Sequence, residues 1–177
     1  MENNFVNLIN TRQSCRDFSD KPLEIETIEK IAELATLSPS ACNSQPWKMY
    51  LVGGEKVKEV TPALQNNGHN PFLTGAKGYI VITEKQAEYK TFVKSKFDKY
   101  HFVKYDIGEL TAYITLVAES IGVKSCIIGW INQDELRGVV GYPEEEVCNI
   151  VVALGYSDTP VREKKRKTKE EVIQIVK

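Results

Sequence analysis

Ser38-Pro39-Ser40-Ala41-Cys42-Asn43-Ser44-Gln45-Pro46-Trp47 separates two hydrophobic patterns of different period. Before it, Ile25, Ile28, Ile31, Ala32 and Ala35 recur at helical spacing; after it, an apolar run opening at Trp47 reads as a strand. Two prolines and four small residues prevent either element from continuing through the stretch. What remains is a loop dense in hydroxyls and amides, from Ser40, Asn43, Ser44 and Gln45, with prolines restricting its backbone. Such groups suit a flat polar heterocycle, because one amide supplies both a donor and an acceptor. On composition alone the same ten residues are an ordinary helix-to-strand connection. Their meaning depends on the rest of the chain.

Outward from this loop, the pattern predicts a first helix near 2–11, with Phe5, Leu8 and Ile9 on one face, and a second over 24–37, entered through Pro22. Strands are expected at 47–53 and 78–83, with a short helix at 55–65 and a loop at 66–71 between them. Residues 84–104 are charged and aromatic and read as partly helical. A central helix is expected over 107–121, capped by Asp106 with Glu109 three residues on and ended by Gly122. A strand near 125–131, a short helix led by Asn132 and a last strand at 147–155 follow. That last run is apolar almost throughout, so burial on both faces is expected. Helices and strands intermix without a βαβ rhythm, which predicts an α+β domain.

The chain has 177 residues, economically one domain, with 42% hydrophobic and 27% charged residues and a net charge of −1. Near-neutrality argues against bulk attraction to nucleic acid or membrane. The start lacks a basic region followed by an apolar run, and no stretch approaches a membrane span, so a soluble, cytoplasmic protein is expected. Cys15, Cys42, Cys126 and Cys148 are widely separated, which speaks against a zinc site or a disulfide framework. Cys126 and Cys148 read as core residues, and Cys42 as exposed in the loop. His69 and His101 are isolated, and no metal is expected.

Past Gly155, six of the eight residues from 162 to 169 are basic, and Val172, Ile173 and Val176 follow. A charge run by itself reads as a solvated tail. The apolar residues beyond it need a surface to bury against, and a second subunit would provide one. Near the other end, Arg12, Ser14 and Arg16 alternate, so in an extended stretch their side chains point one way. Arg-x-Ser-x-Arg alone is an ordinary solvated turn. Two guanidinium groups and a hydroxyl on one side also suit bidentate binding of a phosphate, and Lys164 and Arg166 in the tail offer another pair. A phosphate gripped from both ends of the chain, beside a heterocycle gripped by the amide-rich loop, describes a flavin mononucleotide (FMN) site.

On these residues the sequence resembles the nitroreductase family of FMN-dependent flavoproteins, over nearly its whole length. The resemblance rests on Thr11-Arg12-Gln13-Ser14-Cys15-Arg16-Asp17-Phe18 and on the stretch 38–47. It continues through the helix from Asp106, Gly122-Val123-Lys124-Ser125-Cys126-Ile127-Ile128-Gly129-Trp130, Val152-Ala153-Leu154-Gly155-Tyr156 and Lys164-Lys165-Arg166. It implies a nitroreductase-like fold over 1–177: a central mixed or antiparallel sheet flanked by helices, with a C-terminal extension (156–177) packing on a partner. It implies intertwined homodimers with two shared sites. Arg12 and Ser14, with Lys164 and Arg166, resemble phosphate ligands, and Arg16 resembles the residue reaching the ribityl chain and pyrimidine. Pro39, Ser40 and Asn43 resemble positions touching the other subunit's flavin, with Gln45 holding that loop, and Ile128 and Gly129 resemble backbone along the ring.

The implied reaction is ping-pong reduction of a nitroaromatic, quinone or enone by transiently bound NAD(P)H, with no catalytic side chain required. The absence of a G-x-G-x-x-G fingerprint after a strand agrees with transient nicotinamide binding. The alternatives are a sibling dehalogenase or dehydrogenase on the same fold, a flavin-binding regulatory or storage protein without turnover, and a nucleic-acid module built on the basic tail. The last is disfavoured by near-neutral charge and a tail without interleaved aromatics. Two departures from the family stand out. Trp130 falls where many members have glycine, either as a pocket wall or, slightly preferred, as a core aromatic, and no long lid insertion separates the second and third strands.

Overall fold

A computed structural model describes residues 4–65 and 68–177. Four strands, β1 (Trp47–Val52), β2 (Gly78–Glu84), β3 (Lys124–Ile128) and β4 (Val147–Gly155), form one sheet in the order β1-β2-β4-β3. All three pairings are antiparallel. Helices α1 (Asn4–Thr11), α2 (Ile25–Ala35), α3 (Lys56–Gln65), α4 (Thr91–Lys94), α5 (Val103–Ser120), α6 (Gln133–Val140) and α7 (Lys169–Val172) surround it, with 3₁₀ turns at Ala41–Asn43 and Pro71–Gly75. The α+β reading holds. None of these helices is long and apolar enough to cross a membrane.

The two central strands are covered on both faces, as the unbroken apolar run in β4 requires. Ile80 and Ile82 of β2 and Val152 and Leu154 of β4 pack with Ile28 and Ile31 of α2 and Leu110 and Ile114 of α5. The alternate residues Tyr79, Val81, Val151 and Ala153 pack with Val60 and Leu64 of α3 and Leu136 of α6. Each such side chain is buried, a contribution of about 1.5–3 kcal/mol apiece for the large ones. Cys126 and Cys148 are core residues of the second face.

Element positions differ from expectation where tertiary contacts decide. α5 starts at Val103, because Val103 extends the buried row Ile107, Leu110, Ile114 and Ala118 by one turn. Asp106 is therefore no cap; it lies buried in the helix's first turn. Gly122, at φ +80°, follows the end of α5 as expected. β3 stops at Ile128, its last core residue, short of 131. Beyond it Ile131 packs against the core and Asn132 caps α6, leaving Trp130 58% exposed. The preference for Trp130 as a core aromatic is thus corrected. Residues 2–3 of the first expected helix and 66–67 of the expected loop lie outside the described residues.

Candidate functional site

Residues 12–16 lie along the edge of β3 that β4 leaves free. Ser14 bridges Ser125 in parallel, and the Cys15 amide donates to the Ser125 carbonyl at 2.8 Å. Farther along, the Ser19 amide donates to the Tyr156 carbonyl at 2.8 Å, and Phe18 packs so close over Gly155 that an added Cβ would stand 2.8 Å from its Cδ1. Cys15 turns inward and is buried, whereas Arg12, Ser14 and Arg16 share one cavity, as alternation along an extended chain requires.

The C-terminal segment closes over this edge. Gln13 Oε1 accepts from the Arg162 amide (3.0 Å) and from Arg162 Nε (3.2 Å), and Gln13 Nε2 donates to the Pro160 carbonyl (3.1 Å). Arg162 Nη2 donates to the Ser14 carbonyl at 2.6 Å, and Lys164 Nζ donates to the Arg12 carbonyl. Thr159 Oγ1 donates to Asp17 Oδ2 at 2.7 Å. The result is a cavity of about 340 Å³ with six cations in its wall, Arg12, Arg16, Arg162, Lys164, Lys165 and Arg166, against one carboxylate, Glu163. Among the described residues, none of the six lies within 4.0 Å of a carboxylate. Burial, and then the neighbouring Arg12 and Arg166, push the Lys164 ammonium below the usual lysine range. Converging like charges without a counter-ion are unfavourable, and a bound anion relieves them.

Arg12, Lys164 and Arg166 also line a second cavity, of about 740 Å³. It runs between α1 and α5, past Thr111 and Thr115, to Ile127 of β3 and Ile150 of β4. The Thr111 hydroxyl donates to the Ile107 carbonyl (2.7 Å) and that of Thr115 to the Ala112 carbonyl (3.0 Å), leaving their lone pairs to face the cavity as acceptors only. One end is cationic and the other largely apolar. Such a space accepts an amphipathic molecule with an anionic terminus.

The amide-rich loop is a separate structure. Cys42, Asn43 and Gln45 have φ of 56°, 53° and 45°, left-handed values that cost non-glycine residues about 1–3 kcal/mol each. The loop holds itself there: the Asn43 amide donates to the Ser40 carbonyl (2.9 Å), the Gln45 amide to Ser40 Oγ (3.0 Å), and Gln45 Nε2 to the Asn43 carbonyl (3.3 Å). Its tie to α5 runs from the Ala41 amide to Asp106 Oδ1 at 3.0 Å. Burial pushes the Asp106 carboxyl up, Glu109 adds to the rise and the bond to Ala41 opposes it. Asp106 Oδ2, Ser38 Oγ and Ser44 Oγ are buried with no hydrogen-bond partner among the described residues.

Of the residues singled out from sequence, the structure therefore gathers Arg12, Ser14, Arg16, Lys164 and Arg166 about one cavity. Pro39, Ser40, Asn43 and Gln45 line neither cavity, and nor do Ile128 and Gly129. Ile128 points into the core, and its neighbour Ile127, 44% exposed, supplies the β3 side chain of the larger cavity. Gln13, Arg162 and Ile127 were not singled out as site residues, and Asp106 was read only as a helix cap. Arg162 was visible within the basic run, and Ile127 would follow from alternation once Cys126 is placed inward. Nothing local marks Gln13, whose partners lie 147 or more residues away. Burial pushes the Cys126 and Cys148 thiols up, Cys148 to about 12, so neither is poised as a nucleophile.

A model of the nitroreductase family matches residues 9–156. The chain belongs to the nitroreductase family. An Archaeoglobus fulgidus protein named as an NADH dehydrogenase/NAD(P)H nitroreductase is 33% identical over 158 residues, 85% of this chain and 84% of that one. A Caenorhabditis elegans iodotyrosine dehalogenase 1 homolog is 21% identical over 97% of this chain, which spans 61% of that protein's length. Among solved structures, a nitroreductase family protein from Streptococcus pneumoniae superposes with a TM-score of 0.83 at 18% identity, covering 97% of this chain and 100% of that one. A Desulfitobacterium hafniense nitroreductase with bound FMN gives 0.73 at 23% identity, with 100% of both chains covered. These structures show that the nitroreductase fold extends over almost all of the chain.

Proposed function

We propose that the chain, a single 177-residue domain, is an NAD(P)H-dependent FMN oxidoreductase of the nitroreductase family that reduces small nitroaromatic, quinone or enone acceptors in a ping-pong cycle. The observation that carries the reading is the cavity with six cations and, among the described residues, no carboxylate within 4.0 Å of any of them, sharing Arg12, Lys164 and Arg166 with a largely apolar groove. A flavin phosphate fits the first space and a flat ring the second.

Arg12, Ser14, Lys164 and Arg166 would hold the phosphate through charge-assisted bonds. Gln13 and Arg162 act one step back, locking the two chain ends to each other so that the cations stay converged. Arg16 lies farther along β3, where its charge would favour negative charge on the pyrimidine side. Ile127 and Ile150 offer an apolar wall that keeps water from the ring, and the backbone of Ile128 and Gly129 continues that edge. When bound, FMN supplies the hydride acceptor and donor, so no side-chain acid or base is required.

The amide loop lies apart from its own chain's cation cavity, which supports a homodimer in which Pro39, Ser40 and Asn43, braced by Gln45, reach the partner subunit's flavin. Val172, Ile173, Ile175 and Val176 are all more than half exposed, as a tail that packs on a partner would be in one chain alone. The cytoplasm is the proposed compartment. Reductive dehalogenation is the second reading, favoured by the likeness to the dehalogenase homolog over nearly the whole chain.

The test is a visible spectrum of the purified protein with and without NADH or NADPH. The expected result is a yellow protein that binds FMN well above riboflavin and bleaches with a reduced nicotinamide. Absence of FMN uptake, or equal affinity for riboflavin, would refute the phosphate site. Halide release from an iodinated phenol, without turnover of nitroaromatics or quinones, would favour the second reading.

A further inference from the structure

Trp130 stands on the connection that follows β3, 58% exposed, with its ring centroid 4.7 Å from that of His69 and the planes 47° apart. Both residues are on anchored backbone. The Asn132 amide donates to the Ala63 carbonyl at 2.9 Å, fixing the far end of the Trp130 connection. His69 precedes Asn70, which is left-handed at φ 54° and donates through Nδ2 to the Leu64 carbonyl at 3.1 Å. Two residues beyond Asn70, the Phe72 ring lies 5.9 Å from the Arg16 guanidinium, and Arg16 lines the cation cavity. Arg16 thus lies against Phe72, and His69, three residues before Phe72 in the chain, lies against Trp130, which itself follows by three residues the cavity-lining Ile127.

A tryptophan left mainly in water gives up much of the largest apolar burial any side chain offers. The chain's other tryptophan, Trp47, is 9% exposed in the core. Among the described residues Trp130 has one ring neighbour, His69, while most of its surface stays open, the arrangement of a stacking platform.

We propose that Trp130 and His69 form an aromatic shelf that selects planar aromatic acceptors, stacking them beside the site where the flavin is reoxidised. The inference rests on the FMN reading above. It names what that reading leaves open, namely which acceptors are preferred and which residues choose them. Offset aromatic contacts of this kind change affinity by about two- to tenfold. The shelf thus distinguishes 4-nitrobenzoate from a non-aromatic acceptor such as ferricyanide without taking part in electron transfer.

The experiment uses the full chain loaded with FMN and reduced by NADPH under anaerobic conditions. It is mixed with either acceptor, and reoxidation is followed by flavin absorbance. The ratio of 4-nitrobenzoate to ferricyanide efficiency is expected to fall about three- to tenfold in Trp130→Ala, to fall less in His69→Ala, and to return in Trp130→Phe. An unchanged ratio in Trp130→Ala overturns the shelf, and so does an unchanged ratio accompanied by dissociation of a dimer, which would make Trp130 a subunit contact. If the chain takes up no FMN, the flavin reading fails and the shelf is judged by equilibrium dialysis of 4-nitrobenzoate. Binding that Trp130→Ala abolishes and Trp130→Phe keeps would support the shelf by itself; absence of such binding would overturn it.

Discussion

Replacing Asp106, which lines neither cavity of the site, by alanine is expected to loosen the amide loop. The carboxylate gives the Ala41 amide its partner at 3.0 Å. A hydrogen bond to a charged group contributes about 1.5–3 kcal/mol, and leaving the part-buried amide unpaired adds to the loss. Against this, alanine also removes Asp106 Oδ2, a buried oxygen without a partner whose desolvation is unfavourable. The net expectation is a loss of about 1–3 kcal/mol, which for a chain of this size lowers Tm by roughly 2–4 °C per kcal/mol. Asp106→Asn keeps the acceptor, sheds the charge and should melt close to the wild type. Burial raises the Asp106 carboxyl above its ordinary 3.8, so the folded state holds this proton more tightly than the unfolded chain. Its contribution to stability is therefore fully present below the unfolded pKa and is lost as pH rises through the folded one. The Asn variant, which has no such group, should gain on the wild type as pH rises above the ordinary 3.8. Circular-dichroism melts of the three proteins, with limited proteolysis at the loop, read all of this. An alanine variant melting within 1 °C of wild type with an equally resistant loop would refute the reasoning.

Arg12→Ala should weaken FMN binding about tenfold or more by removing a charge-assisted contact of about 1.5–3 kcal/mol, while riboflavin affinity changes little; fluorescence titration with both flavins checks this. A chain cut after Gly155 should lose FMN and the proposed dimer together, because Lys164, Arg166 and the apolar end go with the tail; sedimentation with absorbance at a flavin wavelength reads both. Asn43→Ala should alter flavin affinity or its rate of reduction by NADPH while leaving the fold largely intact, with a small loss of melting temperature because alanine tolerates the left-handed φ of 53° less well than asparagine; the side chain is exposed and its bond within the loop is a long one, 3.4 Å to Gln45 Nε2. Equal reduction rates in the two proteins would remove Asn43 from the site.

The parts of the fold that could be read from the chain are those whose signal is local. The unbroken apolar runs of β2 and β4, the helical spacing of α2, and the Asn132–Glu135 pair that caps α6 each state their own structure. Arg12, Ser14 and Arg16 were legible for the same reason, because an extended strand puts every second residue on one side. Asp106 was misread because an acidic residue before an apolar helical run looks the same whether it caps the helix or sits buried in its first turn. Only the packing of Val103 decides between the two. Trp130 was misplaced because burial tendency belongs to a residue type, whereas Ile128 and Ile131 had already taken the core positions on either side. Gln13 was invisible because its significance lies entirely in the tail it meets.

That meeting has a consequence for how the protein is made. Lys164 reaches the Arg12 carbonyl across 152 residues, and Arg162 reaches the Ser14 carbonyl across 148. At about 5–20 residues per second on the ribosome, the first half of the cation cavity waits roughly 8–30 s for its second. During that interval the nascent chain carries Arg12 and Arg16 but lacks the opposing wall. A product released before residue 162 cannot form the cavity however well its sheet has folded, so on the FMN reading proposed above cofactor capture would wait until residues 162–166 have been added.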